Sequence, residues 1–110
     1  MQRIEIKPLS QNLAFAGRKF KTPQHKKYEN DILKMLVAIK MPLPPYKLQL
    51  TFGFSNKMSD CSNPIKIFED ILQKRYSFND NLVYRLEVNK TIVPKGKEFI
   101  EFELTHYPLS

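Results

Sequence analysis

Three prolines within five residues, in Met41-Pro-Leu-Pro-Pro45, set the main constraint on what this chain can fold into. Proline lacks a backbone N–H, fixes φ and pushes the preceding residue out of the helical region, so no helix crosses this block. Upstream, Thr22-Pro23 supplies an N-cap and a proline at the first helical position. From there Tyr28, Ile32, Met35, Leu36 and Ile39 keep helical spacing, with Lys26, Lys27 and Lys34 on other faces. Downstream, Tyr46–Ser55 alternates: Leu48, Leu50, Phe52 and Phe54 point one way, and Lys47, Gln49, Thr51 and Gly53 the other. That is the pattern of a half-buried strand.

The rest of the chain repeats this alternation of types. Arg3–Lys7 reads as a first strand ending at Pro8, and Leu9–Lys21 as a loop. A turn at Asn56–Ser62 leads to a second helix capped by Asn63, with Pro64 at its first position and a buried stripe of Ile65, Phe68, Ile71 and Leu72. Leu82–Val93 alternates with Tyr84, Leu86 and Val88 on one face. Pro94-Lys95-Gly96 is a turn, and Ile100, Phe102 and Leu104 alternate on a returning strand that closes a hairpin. The expected class is α+β: a β-α-β-α-β-β mixed sheet with two helices, forming one domain over 1–110.

A chain of 110 residues with 42% apolar content, including eight Phe and five Tyr, suits one packed core. No stretch reaches the length of a membrane span, and the N-terminus lacks a signal-peptide h-region. Cys61 is the only cysteine, which excludes an internal disulfide and a cysteine-based zinc site and makes a reducing cytoplasm the default. Residues 1–57 hold eleven Lys/Arg against three Asp/Glu, and residues 58–110 seven against eight, which together give the net +7. The densest run, with Arg18, Lys19, Lys21, Lys26 and Lys27, contains no acid, so a polyanion is the expected partner rather than a membrane.

Chemistry concentrates in Ser59-Asp60-Cys61-Ser62-Asn63-Pro64-Ile65-Lys66, followed by Asp70 and Asn79-Asp80. Asp60 precedes a helix start, where backbone N–H groups favour negative charge. Asn63, Lys66 and Asp70 follow i, i+3, i+7 spacing and share one helix face. A lysine in a first turn opposes the helix dipole, and Lys before Asp is the poorer i,i+4 orientation, so helix stability does not explain Lys66. Neutralising a phosphate or positioning a water does. There is no glycine-rich phosphate loop. His25 and His106 are far from any Cys/His cluster and read as surface residues, and Cys61 reads as a small semi-buried side chain.

The ordered set resembles the RusA family of Holliday-junction resolvases, small endonucleases common in phages and prophages. Ile6-Lys7-Pro8-Leu9-Ser10 and Gly17-Arg18-Lys19-Phe20-Lys21 resemble the family's strand and basic loop, and Phe52-Gly53-Phe54-Ser55 its approach to the active-site turn. Tyr84–Val88 and Val93–Phe102 resemble its closing hairpin. The family signature, Asp-x-Asp-Asn with a later Lys, Asp and acidic pair, falls on Asp60, Ser62, Asn63, Lys66, Asp70 and Asn79-Asp80. The resemblance implies a homodimer that binds branched DNA and cleaves it with Mg2+ or Mn2+, with no small-molecule cofactor. Asp60, Asp80 and Lys66 match catalytic positions, and Asp60, Asp80 and Ser62 the metal-facing ones. Asn63, Asp70 and Asn79 are supports, and Arg18, Lys19, Lys21 and Lys66 the candidates for DNA contact. Ser62 stands where the family carries a carboxylate, which lowers the charge offered to a metal by one. The alternative expectation is therefore a non-catalytic junction- or nucleic-acid-binding homologue of the same fold.

Overall fold

The computed structural model describes residues 1–9, 15–16, 20–62 and 64–109; Arg18, Lys19 and Asn63 lie outside the described residues. The elements are β1 (Gln2–Ile4), β2 (Phe15–Ala16), β3 (Phe20–Lys21), α1 (Pro23–Met35), β4 (Tyr46–Phe54), α2 (Ile65–Tyr76), a 3-10 turn (Asp80–Leu82), β5 (Val83–Ile92) and β6 (Phe99–His106). β1, β6, β4 and β5 lie in that order in one mixed sheet, and β2 and β3 form a small separate ribbon. The expected α+β class, with two helices on a mixed sheet, is what the structure has.

β4 is central because its inward residues tolerate no water. Leu48, Leu50 and Phe52 are fully buried, and both neighbouring strands take their register from it. β6 runs antiparallel to β4, with Leu50 opposite Phe102 and Phe52 opposite Ile100. β5 runs parallel to β4, with Leu48 opposite Leu86 and Leu50 opposite Val88. A parallel neighbour needs a crossover, and α2 supplies it. Both helices cover the same sheet face: Tyr28 and Ile32 from α1, with Leu36 just past its end, join Phe68, Ile71, Leu72 and Tyr76 from α2 in one core with Ile100 and Phe102. The opposite face is polar, with Gln49 donating to Glu87 at 2.9 Å and Arg85 paired to Glu87 at 2.9 Å. Phe99 is an apolar group on that face, lying over Gly53, and Arg3 stacks on the ring at 3.8 Å from its centroid. A Cβ on Gly53 would come within 2.4 Å of that ring, so only glycine fits there.

Several expectations change. The closing hairpin does not form: β5 and β6 are separated by β4, because the more apolar strand takes both neighbours and the turn at Gly96 (φ 90°) carries the chain across. Tyr84 and Leu86 consequently sit exposed on the edge strand, and only Val88 of that trio packs on the core. α1 ends at Met35 rather than continuing through Ile39, since Leu36 turns extended. The segment beyond is held by tertiary bonds instead: the Val37 N–H donates to Gln2 Oε1, and Tyr76 Oη donates to the Val37 carbonyl at 2.6 Å. The first strand is Gln2–Ile4, the part that finds partners in Ile100–Phe102. Pro64, in helical geometry, takes the N-cap position of α2, which begins at Ile65. Among the described residues no helix is long and apolar enough to cross a membrane.

Candidate functional site

The turn between β4 and α2 is built from side chains that bond to their own backbone. Asn56 Oδ1 accepts the Met58 N–H at 2.9 Å, and the Ser59 N–H donates to the Asn56 carbonyl. Asp60 Oδ1 accepts both the Ser62 N–H (3.0 Å) and the Ser62 hydroxyl (2.8 Å). This is an Asx-type turn, the local chemistry these residue types favour. Those two bonds, N–H first, hold the Asp60 carboxyl below the usual carboxylate range, and the charge of Lys90 on β5 adds to the effect. Asp60 is thus an exposed, ionised carboxylate with its second oxygen outside this turn.

A second group assembles on the exposed face of α2. Lys66 Nζ lies 3.1 Å from Asp70 Oδ1 and 3.3 Å from Asp80 Oδ2. The hydrogen bond to Asp70, then the charges of Asp70 and Asp80, raise the Lys66 pKa, so the ammonium persists well above neutrality. Asn79 caps the 3-10 turn by accepting the Asn81 N–H, which fixes the approach of Asp80. Lys66 and Asp70 therefore share a helix face, as their spacing predicts, and the Asn79-Asp80 turn brings Asp80 to them, while Asn63 lies outside the described residues. Asp60 belongs to the other group. β4 and β5 are parallel with Tyr46 opposite Val83, so Asp80 precedes the start of β5 while Asp60 follows the far end of β4. Among the described residues no hydrogen bond or ion pair links Asp60 to Lys66 or Asp80, and no three His, Cys, Asp or Glu side chains are grouped to hold a metal ion.

No family model matches the chain, and no curated protein matches it.

Four contributors lie outside the sequence reading. Gln73 splices the α2 face: its Nε2 donates to Asp70 Oδ1 at 3.3 Å, and its Oε1 accepts the Asp80 N–H at 3.0 Å. Its i+3 position from Asp70 was the available signal. Glu69 is half-buried beside them; burial, then the charge of Asp80, pushes its carboxyl above the ordinary range. Lys90, thirty residues beyond Asp60, left no local signal. Glu29 on α1 is the fourth, buried between Lys21 (2.9 Å) and Lys74 (2.6 Å). Lys21, an expected DNA contact, is thus tied to Glu29. His25, expected at the surface, is buried, because the first turn of α1 faces α2 across a cleft lined by Lys21, Glu29, Asp70 and Lys74.

The Glu29 triad carries a pH signature. Burial pushes its carboxyl up, but hydrogen bonds from Lys74 and Lys21 and their charges outweigh this and hold it below 4.5. A carboxyl with a depressed folded pKa contributes stability that is present above its unfolded value and lost as pH falls through the folded one. Glu29→Gln is expected to cost about 1–2 kcal/mol at pH 7, since both lysines keep access to water. The difference from the parent should shrink below about pH 4. Urea titrations at pH 7 and pH 3 check both statements.

Proposed function

We propose that this chain is a Mg2+- or Mn2+-dependent endodeoxyribonuclease that acts as a homodimer on four-way DNA junctions. The observation that supports the reading best is Lys66, which bridges Asp70 on its own helix and Asp80 fourteen residues away. Two exposed acids around one persistent cation leave the group net negative, so a phosphodiester would enter it together with a divalent ion that offsets the acids. The Lys66 ammonium then has a role its helix position does not explain, stabilising charge that develops on the phosphate. The oxygens of Asp60, Asp80 and Ser62 are hard donors of the kind Mg2+ takes, but Asp60 and Asp80 stand in separate groups among the described residues, so an ion at either place would be held by that group's own carboxylate and completed by waters and substrate phosphate. When bound, such an ion supplies Lewis acidity and an activated water. Lys21 and Lys74 line the same cleft as Asp70, with both ammonium groups paired to Glu29.

One observation favours a second reading, a junction-binding protein without turnover. Both Ser62 donors are spent on Asp60 Oδ1, so the position that would carry another acid serves the turn instead. Incubating the protein with a labelled four-way junction, with and without Mg2+ or Mn2+, separates the two. The nuclease reading expects metal-dependent cleavage, and Ser62→Asp is expected to raise its rate at limiting metal by about tenfold or more. Tight binding without cleavage by either form assigns the second reading. Failure to bind the junction rejects both.

A further inference from the structure

Lys90 lies on β5 opposite Phe52, on the edge strand, with open water available to its ammonium. It turns instead to the loop after β4. Its Nζ donates to the carbonyl of Lys57 at 2.8 Å and also to the carbonyl of Ser59. It stands 6.0 Å from the centroid of the Phe54 ring, the last residue of β4. These are the two carbonyls that precede Asp60 at alternate positions, and they converge on one point because the Asn56 turn aims them there. Two carbonyl dipoles converging in this way repel each other unless a cation or donor sits between them. A lysine ammonium, with three donors on one atom, satisfies both at once. A methionine side chain of similar length, which has no donor, cannot.

We propose that Lys90 is a positioning residue that clamps the Lys57–Ser62 turn to β5 and so fixes where the Asp60 carboxylate stands. It acts through backbone carbonyls and touches neither substrate nor the reacting atoms. The proposal rests on the functional reading only in giving Asp60 a task; the clamp itself is a statement about the turn. It also explains why an edge strand with so little buried surface supports the site: β5 contributes an anchor to a loop rather than a wall to a pocket.

Hydrogen exchange tests the clamp without any activity assay. Ser59 and Ser62 N–H groups are bonded within the turn, to the Asn56 carbonyl and to Asp60 Oδ1. Lys90→Met keeps the alkyl stem and removes the donors, and is expected to speed exchange at these two amides at least about fivefold while α2 amides hold their rates. Lys90→Arg, which keeps charge and donors, should restore most of the protection. Equal loss at Ser59, Ser62 and α2 amides would mean a general stability effect and would overturn the proposal, as would unchanged protection in Lys90→Met. Mn2+ titration followed by water-proton relaxation, on Lys90→Met and on Asp60→Asn, keeps the clamp and the functional reading distinct. If Asp60→Asn leaves Mn2+ binding intact while Lys90→Met loosens the turn, the clamp stands and the metal assignment of Asp60 fails. If Asp60→Asn weakens Mn2+ binding and Lys90→Met moves neither the exchange nor the binding, the clamp fails and the metal assignment stands.

Discussion

Replacing Lys66 with alanine is expected to lower four-way-junction cleavage by about 10²–10³-fold, the usual cost of removing one charge donor aimed at a transition state. Folding stability should move by less than about 1 kcal/mol, because both ion pairs of Lys66 are exposed and exposed pairs contribute little. Junction affinity should fall only by the share of one phosphate contact, seen as a change of about one in the salt slope. This separation of effects is what distinguishes a catalytic lysine from a solvated one. Removing Lys66 also leaves Asp70 and Asp80 facing each other without their shared cation, so Lys66→Ala should bind Mn2+ at least as tightly as the parent. Cleavage within about threefold of the parent, at matched junction occupancy, would sink the assignment of Lys66.

Phe68→Ala is expected to cost about 3–5 kcal/mol, a large part of the stability of a domain this size. Phe68 is fully buried on α2, packed edge-on against Phe52 of β4 (centroids 6.4 Å apart) and Phe102 of β6 (5.7 Å). It is thus the side chain through which the site helix grips the two central strands. Chemical denaturation should show a lower midpoint with little change in slope. Phe68→Leu, which refills much of the space, should recover most of the loss. If Phe68→Ala costs less than about 1 kcal/mol, the core does not centre on this residue.

How much of this was readable beforehand depends on how far apart the partners lie in the sequence. The proline block before Tyr46 and the alternation of Leu48, Leu50, Phe52 and Phe54 are local signals, and β4 follows them closely. The Lys66–Asp70 pair is one helical turn, and it formed as its spacing required. By contrast, Pro94-Lys95-Gly96 signals that the chain reverses but cannot say which strand receives it, and β4 intervenes where the local signal predicts a hairpin. The apolar alternation of Tyr84 and Leu86 likewise says nothing about whether a helix will cover them. Glu29 meets Lys74 across 45 residues and Lys90 meets Ser59 across 31, and no periodicity reports such pairings. The end of α1 was missed for the same reason, since Gln2 and Tyr76 hold the chain beyond it.

The position of β6 between β1 and β4 also sets an order of events in time. Asp60, Lys66, Asp70, Asp80 and Lys90 all lie within one βαβ stretch, 46–92, whose strands are joined by a single crossover. β1, at the other extreme, has no place in the sheet until residues 100–102 reach it. The sheet therefore cannot seal until nearly the whole chain is present, and its closing step pairs segments almost a full chain length apart. Such distant pairing is expected to slow folding relative to a chain of local contacts, which stopped-flow refolding would measure. Until β6 pairs with it, the flank of β4 that carries Leu50 and Phe52 is an open strand edge beside apolar side chains, the kind of surface on which partly folded chains associate.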